Sequence, residues 1–137
     1  MEVEVKNVEG LNFLGKADSG HWVVMDGPSE YGGTEGGSKP MELVLIALGG
    51  CTGMDVVSLL DKMKVNYDDL KIEVSASREE DHPKIFTEIQ IKYKIWGNVP
   101  EEKVKKAINK SQEKYCSVSE ILQNSAEVNY DYEIIEE

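Results

Sequence analysis

An α+β fold, with helices packed on a mostly antiparallel sheet, is the reading that three features of the sequence support. Residues 70–76, 89–95 and 128–134 alternate apolar and polar side chains, the period of two that a half-buried strand requires. Residues 41 to about 64 are apolar nearly all round until Asp55, which predicts a long, buried central helix. The 137 residues suffice for one domain with a real core, spanning 1–137, and are too few for two.

Each element has its own signal. Val3 and Val5 alternate with Glu2, Glu4 and Lys6, predicting a half-buried first strand. Residues 12–17 and 21–25 follow as strands, with Asp18-Ser19-Gly20 as the turn between them. Residues 27–40, rich in glycine and polar side chains, read as a mobile surface loop. They resemble a phosphate-binding loop only loosely, since GKS/T is absent and Lys39 runs into a proline. Pro40 suits the first turn of the central helix, and Glu42 suits its positive end. Asp61, Lys62 and Lys64 return the far end of that helix to water.

The strands at 70–76 and 89–95 are joined by a segment containing Asp81-His82-Pro83 and predict a hairpin. Pro100-Glu101-Glu102 opens a second helix whose buried stripe is Val104, Ala107, Ile108, Ser111 and Tyr115. Ser117-Val118-Ser119-Glu120 has the form of a capping box and starts a short helix carrying Ile121 and Leu122. Val128, Tyr130, Tyr132 and Ile134 mark the last strand. The order is β-β-β-α-β-β-α-α-β, without repeats or a linker.

Charge narrows the function. With 26 acidic residues against 15 basic ones the net charge is -11, which argues against a nucleic-acid surface or an anionic membrane. Fourteen of the fifteen basic residues are lysines, and Arg78 is the only arginine. The first ten residues, MEVEVKNVEG, alternate in charge and form neither a signal nor a transit peptide, and the uncharged run 43–54 is too short to cross a bilayer. A cytoplasmic location is expected. In that reducing compartment two cysteines are catalytic, metal-binding or inert more often than a permanent staple.

Cys51 lies in Gly49-Gly50-Cys51-Thr52-Gly53. Each of these three glycines weakens a helix by roughly 1 kcal/mol relative to alanine, so the backbone there is expected to approach something closely. Tight packing of a neighbouring helix, with Cys51 as a small core hydrophobe, would explain the glycines equally well. Cys116 stands just before the capping box, where helix N–H groups favour a thiolate. Together the two cysteines suit a nucleophilic thiol and a resolving partner. His21 and His82 are too few and too scattered to complete a zinc site with them, so no metal is expected. A Cys–His hydrolase would need a histidine near Cys51, whereas His21 starts a strand and His82 sits in a hairpin turn. Asp55, one turn after Cys51, would raise a neighbouring thiol pKa if it faced it, and is read instead as pointing to water or capping a partner. The lysines of 103–114 are the solvated face of an amphipathic helix.

The runs Lys39-Pro40-Met41-Glu42-Leu43-Val44-Leu45, Gly49-Gly50-Cys51 and Glu113-Lys114-Tyr115-Cys116-Ser117-Val118 resemble the OsmC/Ohr family, in its branch with a GGCTGMD-type motif. The resemblance covers essentially the whole chain. It implies an intertwined homodimer with the long helices in the core and two sites at the interface. It also implies reduction of peroxides, organic hydroperoxides especially, with no bound cofactor. Cys51 would then be the peroxidatic cysteine and Cys116 the resolving one, passing through a sulfenic acid to a disulfide. An external dithiol of lipoyl type would restore both thiols. In the hydroperoxide-resistance branch a glutamate directly after the proline pairs with an early arginine. Here that position is Met41, Glu42 comes one residue later, about 100° around the helix, and no arginine precedes Arg78. Glu42 and Arg78 are therefore the candidate supporting residues. The alternative function is a non-enzymatic dimer that binds small molecules in an apolar interface pocket.

Overall fold

Short alternating segments separated by glycine turns favour an antiparallel meander, and the chain begins with one. The computed structural model of the chain describes residues 1–136, within which the contacts fall into two compact units, Met1–Val44 and Leu45–Glu137. In the first unit β1 (Val3–Glu9), β2 (Asn12–Ala17) and β3 (Trp22–Met25) pair antiparallel in that order. The expected half-buried character of β1 is not found: all seven of its residues are exposed, Val3 at 70% and Val5 at 56%. It is an edge strand, and no layer of its own unit covers either of its faces.

The segment after β3 is more ordered than its glycines suggested. Asp26, only 2% exposed, accepts hydrogen bonds from the N–H groups of Gly27, Thr34 and Gly36 and from the Thr34 hydroxyl at 2.6 Å. The Thr34 hydroxyl first, then the Gly27 amide, bring its pKa down to about 2. A short 3-10 turn, Ser29–Tyr31, closes with Gly32 in the left-handed region at φ 92°. One carboxylate thus organises the loop that composition alone marked as mobile.

α1 (Pro40–Lys62) begins where proline fits the first turn and Glu42 Oε1 accepts the Lys39 N–H at 2.7 Å. It ends in a Schellman arrangement: the Lys64 and Val65 N–H groups bond the Asp61 and Leu60 carbonyls, with Lys64 left-handed at φ 56°. Leu48, Thr52, Val56 and Leu60, spaced by four, are fully buried. The expectation of a helix covered on all sides is corrected, since Ile46, Met54 and Val57 are 60%, 76% and 40% exposed. Length and composition would let the whole helix span a bilayer, with mean hydropathy 2.0 over 18 residues, although the run 43–54 taken alone is too short. One stripe of it, Leu48, Thr52, Val56 and Leu60, packs into the core.

β4 (Asp69–Arg78) and β5 (Phe86–Trp96) form the expected hairpin, and β6 (Glu127–Ile135) returns parallel on the other side of β5. Being central, β5 buries Ile89, Ile91, Tyr93 and Ile95. α2 (Glu101–Lys110) buries Val104, Ala107 and Ile108 as its spacing requires. The helix then widens into a π turn, Ser111–Tyr115, closed by a bond from the Cys116 N–H to the Ser111 carbonyl at 2.7 Å. The wider turn buries Ser111 and Gln112 side by side and leaves Tyr115, an expected core residue, 48% exposed. α3 (Ser117–Gln123) follows at once. Its N-cap is Cys116 rather than Ser117, because the π turn delivers Cys116 in the extended conformation a cap needs, with Sγ accepting the Ser119 N–H at 3.4 Å.

Candidate functional site

Cys51, Thr52 and Asp55 share one region of α1 because the 3.6-residue repeat stacks positions four apart. The start of α3 meets them there. Both cysteines are free thiols. The two sulfurs and a carboxylate oxygen of Asp55 all lie within 4.8 Å of one another. Cys51 Sγ stands 3.8 Å from Ser117 Oγ. Cys51 is partly exposed, whereas Cys116 is 3% exposed. A disulfide holds its sulfurs at about 2.05 Å, so here the two thiols are near but unbonded.

The two thiols are pushed in opposite directions. At Cys51 burial opposes ionisation, but it is outweighed by the Val118 N–H, the Cys116 thiol and the Ser117 hydroxyl, and the pKa falls below the ordinary thiol value. Asp55 works against that fall. At Cys116 burial dominates and lifts the thiol to about 11, with the Ser119 N–H pulling down and Cys51 and Asp55 pushing up. The expectation that the start of α3 would favour a Cys116 thiolate is therefore reversed. The Ser119 N–H bonds Cys116 Sγ, but burial outweighs it, and it is the Cys51 thiol whose pKa is lowered.

Behind the sulfurs lies a buried polar network. Thr52 Oγ1 is 2.6 Å from Tyr93 Oη and 2.7 Å from Ser111 Oγ. Ser111 donates to Asp55 Oδ2 at 2.9 Å. The Gln112 amide donates to Thr52 and Tyr93 at 3.1 and 2.9 Å, and its carbonyl oxygen accepts from Ser119 at 2.7 Å. Among the described residues no buried side-chain polar atom lacks a partner. The network joins α1, β5, the π turn and α3, so it fixes how the two cysteine-bearing segments meet.

The glycines of the Cys51 motif serve packing. A side chain at Gly53 would come within 2.9 Å of Ile72 Cδ1, so that glycine lets α1 approach strand β4 rather than another helix, whereas one at Gly49 would make ordinary contact with Val74 at 3.5 Å. Gly50 meets nothing within 4 Å and opens onto a groove of about 1030 Å³, lined by Ile46, Met54, Val57, Leu70 and Ile72 among others. Cys51 does not line that groove.

Residues 33–131 match the family model described as OsmC-like protein. The chain belongs to the OsmC-like family. It is 40% identical over 136 residues to Protein YhfA of Escherichia coli strain K12, a match covering 98% of each chain. It is similar to a hypothetical protein from Aquifex aeolicus, at 37% identity and a TM-score of 0.87 over 99% of this chain and 96% of that one. It shares its fold with the organic hydroperoxide resistance protein OhrB of Bacillus subtilis, with a TM-score of 0.68 over 96% of both chains at 17% identity.

Within the second unit the two cysteines come together, and the two supporting candidates make local bonds of their own. Glu42 belongs to the first unit and caps α1 through the Lys39 N–H. Arg78 ties off the β4–β5 hairpin, its Nε donating to the Lys84 carbonyl at 2.7 Å, and it is not among the groups that shift Cys51. Among the described residues neither His21 nor His82 joins the cluster of Cys51, Asp55 and Cys116. Asp55, expected to face water or a partner, faces both sulfurs. Thr52, Tyr93 and Gln112 carried no sequence signal of this role, Ser119 was read only as part of a capping box, and Ser111 only as part of the α2 stripe.

Proposed function

We propose that this OsmC-like chain is a two-cysteine peroxidase that reduces hydroperoxides, organic ones especially, in defence against oxidative stress. The observation that supports it most is the pairing of a partly exposed, acidified Cys51 thiol with a buried, weakly acidic Cys116 thiol within 4.8 Å. Cys51 as thiolate attacks the distal peroxide oxygen; the O–O bond breaks, the alkoxide takes a proton and leaves as alcohol, and Cys51 becomes a sulfenic acid. Cys116 then displaces water from that sulfur to give the disulfide. An external dithiol, of lipoyl type or similar, returns both thiols by exchange. A cytoplasmic location is part of this reading.

A homodimer fits the same reading, since OsmC/Ohr proteins are commonly dimers and the exposed apolar side chains of α1 invite cover. The open groove supports a second reading, a non-enzymatic module that binds an apolar small molecule. Thiol reactivity separates the two. Peroxide consumption is followed with several dithiols, comparing hydrogen peroxide with a bulky organic hydroperoxide, for the parent chain and Cys51→Ser. The peroxidase reading expects the parent to turn over with two thiols lost per peroxide and the variant to be inactive. Equal rates in parent and variant would sink it.

A further inference from the structure

Asp55 hinders the first step proposed above, because its charge opposes ionisation of both thiols. Yet it is held in place with care. Ser111 donates to its Oδ2, and Ser111 is itself bonded to Thr52, which bonds Tyr93 and Gln112. A carboxylate oxygen lies within 4.8 Å of both sulfurs, and no histidine or second carboxylate shares the cluster among the described residues. Cys116 is 3% exposed, so its thiol proton has no direct route to bulk water. A buried thiol that must attack a sulfenic acid needs a base at hand, since the thiolate is the nucleophile.

We propose that Asp55 is the proton shuttle of disulfide formation, a role that rests on the peroxidase reading. Its carboxylate accepts the Cys116 thiol proton as Cys116 Sγ attacks Cys51 Sγ. The sulfur–sulfur bond forms with the electron pair freed from the Cys116 S–H bond, and the Cys51 S–O bond breaks with its pair leaving on oxygen. Asp55 returns the proton to the departing hydroxide, which leaves as water. The carboxylate ends as it began, and no reagent beyond the sulfenic acid is consumed. Asp55 thus contributes to the second step what it costs the first. Ser111 is a positioning residue that holds the carboxylate through Oδ2.

The test separates the two steps in single-turnover experiments on the full chain, reading sulfenic acid by dimedone capture and disulfide by loss of free thiol. In Asp55→Asn the sulfenic acid should form at least as fast as in the parent. Disulfide formation should slow by about 10²-fold, the lower end of what general acid–base catalysis contributes. The gap between parent and variant should narrow as pH rises and Cys116 ionises without a base, whereas a merely structural defect would keep the gap constant. Asp55→Glu should restore part of the rate, and Ser111→Ala should slow the same step less than Asp55→Asn. An unchanged disulfide rate in Asp55→Asn, or an equal slowing of both steps, would overturn the proposal. A parent chain that forms no sulfenic acid with peroxide would overturn the peroxidase reading itself and this role with it.

Discussion

Two faces of α1 show opposite economies. The face with Cys51, Thr52 and Asp55 meets a cluster in which every hydroxyl and amide has a partner inside one chain. The face with Ile46, Gly50, Met54 and Val57 lines an open groove and finds no such completion. Hydrogen bonds are directional, so a polar cluster has to be assembled by the chain that owns it. Apolar burial is non-directional, and a groove can wait for cover from elsewhere. The polar cluster therefore finds its hydrogen bonds within one chain, while the α1 groove is where association would gain most.

The comparison can be attacked from either side. On the polar face the largest effect belongs to Cys116→Ser. It should allow one oxidation of Cys51 and then lose turnover, with Cys51 driven on to sulfinic acid; mass spectrometry after repeated peroxide additions would show the added oxygens. On the groove face Met54→Asp should dissociate a dimer that covers Met54, since a buried charge without a partner costs about 3–5 kcal/mol. Light scattering across a dilution series reads this, and an unchanged assembly would place the subunit contact elsewhere. Tyr93→Phe removes the hydroxyl that Thr52 and Gln112 share and should lower stability by about 1–3 kcal/mol in a denaturant titration. The smallest effect is the most discriminating. In an open groove Gly50→Ala should stabilise by about 1 kcal/mol through helix propensity alone. A loss of stability would mean that a second chain already fills the space.

Legibility in the sequence followed the range of the interactions. The alternation of β4, β5 and β6 and the stripe of Val104, Ala107 and Ile108 depend on neighbours within a few residues, and their pattern is periodic. The π turn broke that periodicity. No composition signal marks a single i→i+5 bond, so Tyr115 was assigned to a core it leaves. At the site, residue type and the family resemblance singled out Cys51 and Cys116, and helical spacing alone put Asp55 on the side of Cys51. Whether that side faced the protein was a tertiary question. The partners of Thr52 lie 41, 59 and 60 residues away, a separation at which no local pattern speaks. The loop after β3 is the opposite case. Asp26 reaches partners 1 to 10 residues ahead, and an aspartate before a glycine-rich turn is a local signal that bulk composition obscured.

The π turn also makes the spacing between the cysteines intolerant of length change. Each residue added to or taken from an α-helix rotates all that follows by about 100° and shifts it by 1.5 Å. Ser111–Tyr115 holds one residue more than an α turn would, and the polypeptide leaves it with Cys116 as the very next position. Removing a single residue there would restore regular helix and swing the second sulfur round the axis, away from the first. A substitution at exposed Tyr115 can be absorbed, but insertions and deletions in this stretch cannot. The pair of thiols is in that sense a ruler, with the bulge as its zero mark.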